Sequence, residues 1–296
     1  MEEAFCQFNQ QLRQNYEAMD RSHLREKLKK LGTFYSSHPL KKEELEAYLP
    51  GSVAAVDGSM NQWGGAEPNV LHLLTAVFLP DLKRESHEKA KVMSPLTGGE
   101  DRSKAALSQL EVQVAREGLD LYHSRVILMD GGFIRYVADA EQMFSDLVQA
   151  CKERDCLLLG VIEDIKSTSI GEAMGMELFD REILFGHLGL GEAFILDSEY
   201  NKKTTSGVGT AYFRPSNNPQ CVAIDFPIHE RERIEEGLNL IHTLTPEGSR
   251  GIPLLLDLVD RYARVTDRDM QAYIKSYIDE DLRRIYLDEA RKKRWL

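Results

Sequence analysis

Two apolar runs in the chain lead into Asp-Gly: Val53-Ala54-Ala55-Val56-Asp57-Gly58-Ser59 and Val126-Ile127-Leu128-Met129-Asp130-Gly131-Gly132. A carboxylate at the end of a buried strand, followed by glycine, keeps its oxygens free while the backbone turns closely around whatever they hold. Two such strands side by side aim two carboxylates at one point, an arrangement that collects divalent cations for phosphodiester cleavage. Taken alone, each copy reads first as a hairpin turn, because Asp-Gly is a common turn signal after an apolar strand. The pair, with what lies between and after it, favours the metal reading.

Metal-assisted phosphoryl transfer needs oxygen ligands from several elements, and in two-ion sites the ions sit roughly 4 Å apart. The helical stretch 104–123 between the two acids offers Glu111 and Glu117. At about 100° per residue each lies roughly 60° from the centre of the apolar stripe, so the helical wheel does not choose between them. Either reads equally as a solvated flank residue. A fourth candidate lies in Gly251-Ile252-Pro253-Leu254-Leu255-Leu256-Asp257-Leu258-Val259-Asp260-Arg261, whose single polar face carries Asp257, Asp260, Arg261 and Arg264. The competing reading there is a pair of i,i+4 ion pairs, Asp257–Arg261 and Asp260–Arg264. Lys166 follows the apolar run 157–162 and precedes Ser167-Thr168. A lysine there could hold a scissile phosphate or be an ordinary loop lysine.

These residues need a scaffold, and the apolar periodicity supplies one. Residues 1–35 read as a charged amphipathic helix with Phe5, Phe8, Leu12, Tyr16 and Met19 at helical spacing. Strands are expected at 53–57, at 70–78, around Val92-Met93, at 126–130 and at 157–162, with an excursion over 81–103. Helices are expected at 104–123 and 138–152. Shorter strands follow at 193–196, 211–214 and 221–226, then helices at 230–242, 251–265 and from Asp267 onward. Strand–helix–strand alternation implies a mixed sheet with helices packed on it. No repeat, low-complexity tract or linker divides the chain, so one domain is expected: a helical extension (1–49), a core (50–265) and a helical tail (266–296).

With 42% hydrophobic and 29% charged residues, the composition is that of a globular protein rather than a disordered one. No apolar stretch approaches the roughly 20 residues that span a bilayer, and the start lacks the basic and apolar regions of a signal peptide. Cys6, Cys151, Cys156 and Cys221 show no metal-ligand spacing, so a reduced, cytoplasmic protein without a membrane role is expected. The net charge of −11 argues against a generic basic nucleic-acid binder. It leaves a nuclease open, because ligand carboxylates carry charge that bound cations neutralise. The strongest local basic cluster is Arg283-Arg284 with Arg291-Lys292-Lys293-Arg294-Trp295. It reads as a solvated terminal helix, or as a contact for DNA or a partner.

Taken in order, these residues resemble the NurA nuclease family. The family pattern is a strand ending in Asp-Gly-Ser, a helical glutamate some twenty residues before a second strand, and that strand ending in Asp-Gly. A strand leading to Lys-Ser and a late Gly-x-Pro segment entering a helix complete it. Here these are Val56-Asp57-Gly58-Ser59, Leu110-Glu111-Val112, Met129-Asp130-Gly131, Ile165-Lys166-Ser167 and Gly251-Ile252-Pro253 through Val259-Asp260-Arg261. The nineteen residues between Glu111 and Asp130 favour Glu111 over Glu117. The segments Ala211-Tyr212-Phe213-Arg214 and Cys221-Val222-Ala223-Ile224-Asp225-Phe226-Pro227 also resemble the family's late strands. Two positions depart from the pattern: Gly132 stands where a serine would follow the second Asp-Gly, and Asp260 where archaeal members have a histidine.

The resemblance implies an α/β fold, a ribonuclease-H-like mixed sheet flanked by helices with N- and C-terminal helical elaborations. It implies a Mn²⁺-dependent DNA nuclease, Mg²⁺ being an alternative, with two ions held by Asp57, Glu111, Asp130 and Asp260 and with Lys166 as a further catalytic residue. Members combine 5′-to-3′ exonuclease with single-strand endonuclease activity. They form homodimers and work with the hexameric ATPase HerA in DNA end resection and repair or in antiphage defence. Two other classes compete. A catalytically weak or inactive NurA-like scaffold subunit of an ATPase complex is kept open by the Asp260 departure. A nucleotide-binding enzyme of the actin and sugar-kinase type also uses two Asp-containing phosphate loops, but on separate lobes, whereas Asp57 and Asp130 lie 73 residues apart.

Overall fold

The computed structural model describes residues 1–18, 23–46, 48, 53–80, 84–98 and 102–287. Among these residues nine strands form one sheet: β1 (Gly32–Ser36), β2 (Val53–Gly64), β3 (Val70–Leu79), β4 (His87–Met93), β5 (Val126–Asp130), β6 (Leu157–Ile162), β7 (Glu192–Leu196), β8 (Val208–Arg214) and β9 (Val222–Pro227). Their spatial order is β1-β7-β8-β9-β6-β5-β2-β3-β4. The longer helices are α1 (Glu2–Ala18), α2 (Ser103–Tyr122), α3 (Phe133–Asp139), α4 (Glu141–Glu153), α5 (Ile234–Leu244), α6 (Leu254–Ala263) and α7 (Asp267–Tyr277). Strands β2, β3 and β4 form an antiparallel meander, and β5 and β6 continue from β2 in parallel. This is the ribonuclease-H-like arrangement, extended on the far side by the antiparallel strands β9, β8, β7 and β1.

The central strands are apolar at nearly every position because both faces are covered. Val53, Ala55, Val126, Leu128, Leu157 and Leu159 face α5 and α6. Ala54, Val56, Ile127, Met129 and Leu158 face α2, α3 and α4. Alternation along each strand then fixes where the next residues point. Asp57 continues the series Val53, Ala55, and Asp130 continues Val126, Leu128. Both acids therefore lie on the α6 face. The parallel pairing ends at Val56↔Met129, which sets Asp57 and Asp130 next to one another at the carboxyl end of the pair. Ligand-binding crevices of α/β sheets form at that end.

Several elements differ from the reading of the sequence. The first Asp-Gly ends no strand: β2 runs on to Gly64, paired with β3 alone. What stops there is its parallel neighbour, so the hairpin reading fails for Asp57-Gly58. The N-terminal helix is described over Glu2–Ala18, and Gly32-Thr33-Phe34-Tyr35-Ser36 is not helical but forms β1, an edge strand antiparallel to β7. Its β-branched and aromatic residues suit a half-buried strand. The strand around Val92-Met93 is longer, because the meander continues the ladder back to His87↔Phe78. The helix expected over 138–152 is two helices meeting at Ala140, whose φ of −146° is not helical. The basic segment 291–295 lies outside the described residues. Among those described, no helix is long and apolar enough to cross a membrane.

Candidate metal centre

Glu111 decides how the centre is built. It sits on α2, which packs the face opposite Asp57 and Asp130, and it is fully buried. Gly58 makes this possible: a Cβ there would stand 2.5 Å from Glu111 Oε1 and 2.7 Å from its Cγ. The glycine after Asp57 is thus required by a close approach and not by a turn. Gly131 is different. Its φ of +103° turns the chain out of β5, and the Arg135 guanidinium packs against it.

Arg135 binds this region together. Its Nη2 lies 2.7 Å from Glu111 Oε2, but the two hydrogens of that nitrogen go to Asp130 O and to the Tyr136 hydroxyl, both at 2.6 Å. Glu111 therefore has the Arg135 charge on one oxygen and the Tyr136 hydroxyl beside it, while the rest of the hydrogen-bonding capacity of its two buried oxygens is unmet. A buried carboxylate in that condition is costly unless something else supplies positive charge and donors. An oxygen-seeking divalent cation would do so.

The electrostatics agree. Burial is the main cause that lifts the Asp57 carboxyl to about 7, and the charges of Asp130, Glu111 and Asp260 add to it. Glu111 is likewise lifted to about 7, chiefly by burial and further by Asp130, against the opposing pull of Arg135 and Tyr136. Asp130 is raised by burial and by Asp260 and Glu163, while Arg135 and Arg250 hold it back. These carboxylates feel one another strongly. Among the described residues, however, no three His, Cys, Asp or Glu side chains close on one point as ligands. The donor set, all oxygen, suits a hard cation such as Mg²⁺ or Mn²⁺.

The remaining candidates separate clearly. Glu117 is paired with His87 Nε2 at 2.6 Å and Lys89 Nζ at 2.8 Å, so it is the flank residue and Glu111 the buried one. On α6, neither expected i,i+4 ion pair forms. Asp257 is bound instead by Arg250 at 2.7 Å, and Arg250 also reaches Glu163 at 3.1 Å. Asp260 has no ion-pair partner among the described residues, is exposed, and acts electrostatically on both Asp57 and Asp130. It faces the centre from the helix that packs on it. Lys166 lies exposed on the loop after β6, at the same edge of the sheet but in contact with none of the carboxylates. The turn after it is anchored by buried Asp180, which accepts from the backbone N–H groups of Ser169, Ile170 and Gly171 at 2.8–3.2 Å and from the Tyr212 hydroxyl at 2.5 Å.

Two parts of the centre were not among the residues singled out from the sequence. Arg135 carried only a faint signal, a cation three residues after Gly132. Asp225 carried a clearer one, a lone acid in the apolar strand β9. It is fully buried and accepts from Lys203 Nζ at 2.6 and 2.9 Å, from Thr210 Oγ1 at 2.8 Å and from Phe133 N at 3.1 Å. That set of bonds fixes the start of α3, and with it the turn that carries Asp130 and Arg135.

Comparison with known proteins agrees with this fold. A crystal structure of NurA superposes with a TM-score of 0.56 at 11% identity, covering 94% of this chain and 96% of that one. Looser likenesses are to Ciona intestinalis endonuclease V in complex with DNA, with a TM-score of 0.39 at 15% identity over 86% and 98% of the two chains. Another is to Marinitoga piezophila Argonaute, at 0.36 and 14% over 75% and 31%. These two scores are too low to carry an argument. No curated protein matches the chain in sequence. The family model described as the NurA domain matches residues 51–265, the span that holds Asp57, Glu111, Asp130, Lys166 and Asp260, and the chain belongs to the NurA family.

Proposed function

We propose that this NurA-family nuclease is a divalent-cation-dependent deoxyribonuclease, using Mn²⁺ in preference to Mg²⁺. The observation that carries the reading is Glu111: a fully buried carboxylate whose two oxygens are left under-satisfied, with Arg135 as its one ion pair among the described residues and two further acids, Asp57 and Asp130, acting on the same centre. Asp57, Glu111, Asp130 and Asp260 would hold the cations. Ions bound there supply Lewis-acid activation of water and charge neutralisation for phosphodiester hydrolysis. The chain's own residues do the rest. Arg135 holds Glu111 and the Asp130 turn in place, and Lys166 stands at the same sheet edge, where a scissile phosphate would need a cation. The family resemblance supports 5′-to-3′ exonuclease and single-strand endonuclease activity, a homodimer, and work beside a HerA-type hexameric ATPase in end resection or antiphage defence.

The exposure of Asp260 at the position of the family's histidine favours a second reading, a NurA-like scaffold with little activity of its own. End-labelled single- and double-stranded DNA incubated with the protein in Mn²⁺, Mg²⁺ or EDTA separates the two. Cleavage in Mn²⁺ that EDTA abolishes supports the nuclease. Intact DNA under all three conditions, with retained binding to the ATPase, supports the scaffold.

A further inference from the structure

Beyond Asp57, β2 runs on for seven residues with β3 as its only neighbour, and α7 packs on the same extension through Met270 and Ile274. Between the extension and the junction of α6 with α7 lies a cleft of about 670 Å³, lined by Ser59, Asn61, Arg264, Asp267 and Arg268 among others. Both of its walls continue elements that carry acids of the metal centre. Ser59 and Asn61 are the next two residues on the Asp57 face of β2. Arg264 follows Asp260 by one helical turn.

The protein carries a net charge of −11, and many of its arginines are engaged by acids, as in Arg154 with Asp120, Arg233 with Glu230 and Arg250 with Asp257. Arg264 and Arg268 are exposed and make no ion pair among the described residues. The one acid of the lining, Asp267, is held by Asn61 Nδ2 at 3.1 Å, and the same nitrogen reaches Val265 O at 2.9 Å. Two exposed guanidiniums without an ion pair among the described residues, on walls that lead away from the acids of the centre, match a polyanion that must run past them.

We infer that the cleft binds the phosphate backbone of the nucleic-acid strand that enters or leaves the metal centre, with Arg264 and Arg268 on successive phosphates. At about 3.3 Å per residue, Asn61 lies roughly 13 Å from Asp57 along β2, a few nucleotides from the scissile bond. A volume of about 670 Å³ is on the scale of a short run of one strand. The inference deepens the nuclease reading and rests on it.

The test is binding of a fluorescently labelled single-stranded oligonucleotide to the full chain in EDTA, across a salt series, alongside Mn²⁺-dependent cleavage by the wild type. Arg264→Gln/Arg268→Gln is compared with Arg116→Gln/Arg154→Gln, which removes the same charge from the opposite face of the sheet. Two phosphate contacts on a single strand predict a salt slope shallower by about 1.4 and roughly ten-fold or more weaker binding at 0.1 M salt. The control pair should bind as the wild type does, and a duplex should lose less from the cleft variant than the single strand. If the cleft variant keeps wild-type affinity and slope while the wild type cleaves, the cleft assignment falls and the nuclease reading stands. If the wild type neither binds nor cleaves, both fall. Equal losses in the two variants would reduce the effect to net charge and overturn the assignment.

Discussion

At the scale of single residues, burial and like charge raise the Asp57 carboxyl to about 7, and this has a measurable cost without metal. The folded state holds a proton that the unfolded chain has released above pH ~4. Stability is therefore greatest below that pH, falls as pH rises towards about 7, and carries the full penalty above it. A shift of this size corresponds to an effect on the order of a few kcal/mol. In EDTA at about pH 8, Asp57→Asn should melt several degrees higher than the wild type and show a flatter stability profile between pH 4 and 7. A lower melting point would mean that Asp57 serves the fold rather than a ligand. Arg135 is one of the groups that lower the Glu111 carboxyl. Removing it should raise that carboxyl further, so the acid limb of the cleavage profile in Arg135→Ala should move to higher pH. An unmoved limb would show that Arg135 does not act through Glu111.

At the scale of elements, α6 presents two acids with different fates. Asp257 is bound to Arg250, whereas Asp260 acts on Asp57 and Asp130 and has no ion-pair partner among the described residues. Asp260→Ala should weaken Mn²⁺ binding and reduce cleavage steeply, while Asp257→Ala should leave both within a few-fold of wild type. The reverse ranking, read by the same titration and assay, would move the fourth ligand to Asp257. What was legible in the sequence follows the same division. Asp57 and Asp130 could be read because apolar runs flanked by glycine are local signals. Glu111 could not be told from Glu117 by the helical wheel, since the asymmetry comes from Gly58 on another element. Arg135 acts only because α3 folds it back over Gly131, and the sequence spacing does not encode that return. Strand β1 was missed because its partner β7 lies far along the chain, and edge pairing leaves little periodicity to detect.

At the scale of the whole molecule, α1 carries Phe5, Phe8, Leu12 and Tyr16 on one face, all more than half exposed. Such a stripe is a liability in a lone chain, and the homodimer reading covers it. Phe8→Asp/Leu12→Asp should then shift the protein from dimer to monomer in sedimentation, with its circular dichroism unchanged. A wild type that already sediments as a monomer would remove the homodimer from the account. The sheet as a whole was legible, because strand–helix alternation and doubly buried strands leave few topologies. The cleft beyond Asp57 was not, because it exists only where β2 outlasts β5, and strand length past an Asp-Gly is decided by the neighbouring β3.

The most direct test of the metal centre is a calorimetric titration of Mn²⁺ into metal-free protein near pH 7, in buffers of different ionisation heat, for the wild type and Asp57→Asn. Carboxyls raised to about 7 must lose protons to bind a cation. The wild type should therefore bind Mn²⁺ with proton release, and Asp57→Asn should lose most of both. Wild-type protein that binds no Mn²⁺, or a variant with the same isotherm and proton release, would contradict the assignment of Asp57, Glu111 and Asp130 as a metal centre.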